Sequence, residues 1–137
     1  MMGRLGGGAA ATIVVATWAV IGSTGAAQAQ SMSPMRGEVR SFSDEFAIRV
    51  TPANVYQHRI QVEVRVYDER FAPVAARVHP ATMTLGPNGS RRVVVMVPFD
   101  GAKQRRVRVC TESVPFASKT QQVRTQICGR FLATRVN

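Results

Sequence analysis

The sequence predicts an all-β protein, a single antiparallel immunoglobulin-like β-sandwich of about seven strands, after a cleavable signal peptide. Three observations predict it. Beyond residue 29 apolar and polar residues alternate at period two, and nowhere do they recur at helical spacing. Prolines, glycines and asparagines interrupt the alternation at short intervals, as turns between strands do. Two cysteines, Cys110 and Cys128, fall in separate alternating stretches near the C-terminal end.

The export signal comes first in the chain. Arg4 supplies a positive start, the 14 residues from Ala9 to Gly22 are apolar and uncharged, and Ala27-Gln28-Ala29 is a small-x-small cleavage site. A membrane span needs about 20 apolar residues, so cleavage after Ala29 is expected, with no stable membrane insertion afterwards. Gln30 to Asn137 then remain, 108 of the 137 residues. That length suits one domain. The expected division is a signal peptide over 1–29, a flexible N-terminal segment with an edge strand over 30–45, and the sandwich over 46–137. The expected location is periplasmic or secreted.

Within the sandwich, Phe46, Ile48 and Val50 alternate with Ala47 and Arg49, a short strand that Pro52 is expected to close because proline cannot donate to a ladder. Ile60, Val62, Val64 and Val66 alternate with Gln61, Glu63, Arg65 and Tyr67, a half-buried strand rich in β-branched residues. Asp68 to Pro73 reads as a turn, Val74 to Val78 as an edge strand ended by His79-Pro80, and Ala81 to Leu85 as another short strand. Gly86-Pro87-Asn88-Gly89 is a turn, since proline presets φ while asparagine and glycine tolerate positive φ. Val93 to Val97 is continuously apolar, which predicts a strand buried on both faces. After the polar connection from Gly101 to Arg105, strands are expected over Arg106 to Ser113 and Gln122 to Val136.

Parity places the cysteines. Val107, Val109 and Thr111 share one face of their strand, and Arg106, Arg108, Cys110 and Glu112 the other. In the last strand Ile127, Gly129 and Phe131 share one face, and Arg124, Gln126, Cys128 and Arg130 the other. Both thiols therefore point away from the core, and exported cysteines pair. A Cys110–Cys128 disulfide on the outer surface sets Val107 opposite Phe131, Thr111 opposite Ile127 and Arg108 opposite Arg130. The last is a like-charge pair that costs stability, with Glu112 and Arg124 diagonal to one another. In the chain-entropy model this bridge stabilises by about 3 kcal/mol.

Charge and chemistry narrow the function. The chain has 18 Lys+Arg against 8 Asp+Glu; loss of Arg4 leaves 17 against 8, or +9. Such a balance favours anionic partners. Export disfavours nucleic acid, and the aromatics do not interleave with the arginines as a stacking platform requires. No catalytic constellation emerges: His58 lies in a turn region and His79 precedes Pro80, and Glu63, Asp68 and Glu69 read as solvated or salt-bridged. Two histidines and two paired thiols do not make a structural zinc site. The expectation is a non-enzymatic protein with no cofactor and no metal.

In their order, these features resemble the N-terminal immunoglobulin-like domain of PapD-like periplasmic pilus chaperones. The stretches FAIRVTPAN, IQVEVRVYDE, MTLGPNGSRRVVVMV, RVRVCTESVP and QVRTQICGRFLATRV carry the resemblance, over about Phe46 to Val136. It implies a disulfide between the last two strands, as in the long-loop subset of that family, and a role in fimbrial biogenesis through pairing of the last strand with a pilin-like subunit. The family's second immunoglobulin-like domain is not among the matching residues. Alternating apolar donor positions fall here on Lys119, Gln121 and Val123, of which one is apolar. The family's last-strand lysine, which anchors the subunit's terminal carboxylate, falls on Cys128, with Arg130 two residues away, and Arg36 or Arg40 takes the place of its first-strand arginine. The expected partner is a secreted or pilin-like polypeptide, bound by edge-strand pairing and by Arg106, Arg108, Arg124, Arg130 and Val123. The alternative is a structural envelope component that holds anionic polymers on its arginine-rich face.

Overall fold

The computed structural model describes residues 31–113 and 124–137, together with the isolated Gly3, Gly7 and Gly8. The rest of the expected signal peptide, and Lys119, Gln121 and Val123, lie outside the described residues. Among the described residues there are strands and no helix. The strands are β1 (Ser31–Ser33), β2 (Arg36–Ser41), β3 (Glu45–Ala53), β4 (Ile60–Tyr67), β5 (Arg77–His79), β6 (Thr82–Leu85), β7 (Val93–Pro98), β8 (Gln104–Ser113) and β9 (Thr125–Arg135). They form two sheets, one in the order β1-β3-β7-β5 and the other in the order β2-β9-β8-β4-β6.

Alternation decides which side chains enter the space between the sheets. Phe46, Ile48 and Val50 from β3, and Val93, Val95 and Val97 from β7, face Ile60, Val62, Val64 and Val66 from β4, and Val107 and Val109 from β8. Phe46 and Phe99 meet at 4.8 Å between ring centroids and close one end of the core. At the other end Asn54 is buried, donating from Nδ2 to the carbonyls of His58 (2.7 Å), Leu85 (3.1 Å) and Gly86 (2.9 Å) and accepting from the Tyr56 N–H (2.9 Å). One amide thus ties the His58 loop to the end of β6 and the turn that follows it, and its own buried polar atoms are satisfied in doing so.

Residues 31–41 form an edge in each sheet. β1 pairs antiparallel with β3, and β2 pairs parallel with β9. The crossing between them lies against Gly129, where a Cβ would stand 2.9 Å from the Phe131 ring, 3.1 Å from Met32 Cε and 3.2 Å from the Met35 carbonyl oxygen. Only glycine admits so close an approach.

Several expectations are corrected. β3 does not stop at Pro52 but runs to Ala53. The Pro52 carbonyl accepts from the Arg91 N–H, Ala53 bridges Ser90 and the Asn54 N–H donates to the Gly89 carbonyl, so pairing with the chain ahead of β7 continues past the proline and only its one missing N–H is lost, while β1 pairs along the other side. The edge strand after the Asp68 turn occupies Arg77–His79 and not Val74 to Val78, because Val74 donates back to the Val66 carbonyl and prolongs the turn. β7 is buried on one face only: Val94 and Met96 on its outer face are half-covered, since among the described residues no further layer of strands lies over the four-stranded sheet. Pro98 is the last residue of β7 and Gln104 the first of β8, two residues earlier than expected. The disulfide joins Cys110 and Cys128 with Cα atoms 4.0 Å apart, on the face that parity assigns. Cys110 is nevertheless shielded from solvent, not displayed on the outer surface. β8 is the middle strand of its sheet, and a short side chain there sits below the longer Arg65 opposite and Glu112 beside it.

Candidate functional site

The site lies on the outer face of the five-stranded sheet, and strand register builds it. β8 and β9 pair so that Arg108 opposes Arg130 and Cys110 opposes Cys128, the offset that the parity argument requires. The parallel pairing of β2 adds Arg36 opposite Arg130. Arg36, Arg130 and Arg108 therefore stand in one row across three adjacent strands. With strands about 4.8 Å apart, the row spans about 10 Å. The next row holds Glu38, Leu132 and Arg106. Together these residues and Glu69 line an open hollow of about 620 Å³.

Compensation in this hollow is incomplete. Arg106 Nε lies 3.6 Å from Glu69 Oε1. Among the described residues, neither Arg36, Arg108 nor Arg130 has a carboxylate at ion-pairing distance. Arg108 is held otherwise: its guanidinium carbon lies 4.5 Å above the centroid of the Phe71 ring and its Nη2 donates to the Glu69 carbonyl at 3.4 Å. Its Nε is buried with no hydrogen-bond partner among the described residues. Phe71 takes its place through the Asp68 turn. Asp68 Oδ1 accepts from the N–H groups of Arg70 (2.8 Å) and Ala72 (2.9 Å), and this fixes Phe71 at φ 60, a left-handed conformation that a bulky residue rarely adopts.

Beyond the disulfide, the same face is internally neutralised. Glu112 Oε1 accepts from the Tyr67 hydroxyl (2.8 Å) and from Gln126 Nε2 (3.0 Å), and its Oε2 lies 3.8 Å from Arg124 Nη1. Burial first, and then donation to the Glu112 carboxylate, raise the Tyr67 pKa. Arg65 Nε donates to Glu63 Oε1 at 2.9 Å, and this bond is the largest cause that holds its guanidinium pKa above the ordinary value. Of the predicted binding residues, then, Arg106, Arg108 and Arg130 come together, and Arg124 stands apart with Glu112. Val123 is outside the described residues. Arg36 joins them through a parallel pairing distant in sequence. Phe71 was not singled out from sequence, and its only signal there is the Asp68 turn that presents it.

A backbone edge runs up to this hollow. β2 covers β9 only from Arg130 to Arg135, and Arg130 donates to the Met35 carbonyl at 2.9 Å. Alternate residues of a strand face the same side, so the N–H and C=O of Gln126 and Cys128 point to the side that Arg130 uses for Met35. Among the described residues no strand pairs with them there. Among the described residues, an open stretch of edge therefore ends where β2 and Arg36 begin. Elsewhere, no group of three His, Cys, Asp or Glu among the described residues gathers as a metal site, and among them there is no helix long and apolar enough to cross a membrane.

Comparison with known proteins supports the fold. No family model and no curated protein matches the chain. Solved structures do. A chain of the Salmonella enterica SafA pilin in complex with the SafB chaperone superimposes with a TM-score of 0.62 at 16% identity, covering 77% of this chain and 54% of that one. The E. coli chaperone DraB gives 0.63 at 18% identity, covering 77% and 55%. The PapD-like domain 7 of human CEP192 gives 0.59 at 10% identity, covering 92% and 98%. This chain spans about half the length of the chaperone chains it matches. The similarity to PapD-like chaperones read from the sequence therefore holds at the level of the fold.

Proposed function

We propose that this protein is an exported, non-enzymatic binding protein of the periplasm that holds a secreted, pilin-like polypeptide by its C-terminal strand. The observation that carries the reading is the meeting of the open β9 edge with the arginine row. A peptide pairing with Gln126 and Cys128 would lie in line with β2 and stop against its first residue. Run parallel to β9, it brings its C-terminal carboxylate to Arg36 and Arg130, where charge-assisted hydrogen bonds await it. Run antiparallel, it brings an N-terminal ammonium to a row of cations, which like-charge repulsion opposes. Edge pairing supplies affinity through the main chain, and the arginines supply direction. The neighbours whose names identify them as chaperones or chaperone–pilin complexes support the same reading, as does the export signal expected over 1–29. A track for anionic polymers is less well supported, because the Arg106–Glu69 and Arg124–Glu112 pairs interrupt the cationic face.

The test uses an isotope-labelled oxidised domain and a synthetic ten-residue peptide of alternating valine and threonine, as free acid and as C-terminal amide. The free acid is expected to bind more tightly and to slow exchange of the Gln126 and Cys128 amide protons. Equal binding of acid and amide, or protection elsewhere, contradicts the reading.

A further inference from the structure

We infer that the row contains a second anion-binding point, Arg108 braced by Phe71, and that the site takes a peptide end carrying an acidic side chain beside its terminal carboxylate. The inference rests on the reading above and adds the chemistry of the client. A carboxylate is short, and its two oxygens reach adjacent guanidinium groups, Arg36 and Arg130, which neighbour one another across a single strand spacing. Arg108 stands one strand further along the same row. It is cationic, without a carboxylate partner, and its Nε is desolvated with nothing to donate to among the described residues. An unpaired buried donor on a cation is costly, so nothing inside the described fold offsets the Arg108 charge; the part of its guanidinium that lines the hollow is where an anion delivered from outside can meet it.

The bracing is specific. A free arginine on a strand samples many rotamers, whereas Arg108 lies over the face of Phe71 at 4.5 Å and beside the Glu69 carbonyl. Cation–π attraction and a planar stack fix the direction of its fork. Phe71 does not itself line the hollow; it stands behind Arg108 as a positioning residue. The residue is about half exposed, at 48%, and its backbone is held in the left-handed region by the Asp68 turn. The occupant at Arg108 must then be an anion within a few ångströms of the terminal carboxylate, as the side chain of a last-residue aspartate or glutamate is.

The probe is the same alternating peptide ended in Asp or in Asn, each as free acid and as amide, with affinity read by fluorescence anisotropy. The Asp end is expected to bind roughly five- to tenfold more tightly than the Asn end, as a charge-assisted contact implies, with the ratio shrinking as salt is raised. Arg108→Gln should abolish the Asp-over-Asn ratio and keep the acid-over-amide ratio. Phe71→Leu, which keeps apolar bulk and loses the ring, should reduce the Asp-over-Asn ratio, and Phe71→Tyr should restore it. Acid preferred over amide with Asp and Asn equal in the unaltered protein overturns this inference and leaves the strand-holding reading intact. No acid preference at all overturns both. An Asp preference that survives Arg108→Gln in a variant with unchanged melting assigns it to another residue and overturns the inference as well.

Discussion

The outer face of the five-stranded sheet has two ends with opposite electrostatic character. At the disulfide end, Glu112 gathers Tyr67, Gln126 and Arg124, Glu63 pairs with Arg65, and Cys110 is covalently joined to Cys128. At the other end, two residues further along the same two strands, Arg108, Arg130 and Arg36 stand in register with no carboxylate between them. Cross-strand like charges destabilise a sheet, and a surface shaped for stability alone would intersperse the signs. The first end is built to hold β9 in place; the second spends part of that security on cations left open to a ligand.

The largest effect should come from cutting the staple. Cys128→Ser is expected to cost about 3 kcal/mol and lower the melting temperature by roughly 10–20 °C, read by circular dichroism against the oxidised parent. Equal melting would mean that the disulfide end does not secure β9.

Next comes the crossing that brings β2, and with it Arg36, to the row. Gly129→Ala drives a Cβ toward Phe131, Met32 and the Met35 carbonyl, and overpacking of this kind costs roughly 1–3 kcal/mol. Chemical denaturation should show that loss, and peptide affinity should fall with it, because β2 must shift to accommodate the methyl group.

The direct contrast is between one acidic and one basic substitution. Glu112→Gln removes the charged acceptor that three neighbours share and should destabilise by about 1 kcal/mol. Arg130→Gln relieves repulsion and should leave stability unchanged or raise it by up to about 1 kcal/mol, while free-acid peptide binding falls. Denaturation curves for the two variants that move in the same direction would erase the distinction between the ends.

The smallest effect concerns pH. The Tyr67 phenol has its pKa raised above the ordinary 10.0, first by burial and then by its bond to Glu112. Its stabilisation is therefore complete below that ordinary value and is lost as pH rises through the higher value in the folded protein. Tyr67→Phe should flatten the alkaline fall in stability, measured by melting in a pH series above 9, and should leave the acid side unaltered.

How far the sequence could be read depended on how local the cause was. The register of β8 against β9 followed from parity and two cysteines, because side chains alternate strictly and a single cross-link fixes the offset. β4 was legible to the residue, since its alternation is uninterrupted. Pro52 misled, because whether a strand tolerates proline depends on which neighbour is present on that side, a fact of topology and not of sequence. Cys110 lay on the face expected, but its covering by taller neighbours depends on the strands beside β8. Arg36 was only loosely placed, because the parallel pairing of β2 with β9 joins residues about ninety positions apart through no local pattern. Phe71 looked like a turn residue, and its stacking under Arg108 exists only because β4 and β8 are neighbours.

The central claim is that the arginine end of this sheet face reads a peptide's terminal carboxylate and is not needed for stability. The measurement that tests it most directly is the affinity of the free-acid and amide peptides for the Arg36→Gln/Arg130→Gln double variant, with its melting temperature taken on the same sample. The account predicts that acid and amide bind equally and that melting is unchanged or higher than in the parent. A double variant that still prefers the acid, or that loses the preference only because it melts lower, would contradict it.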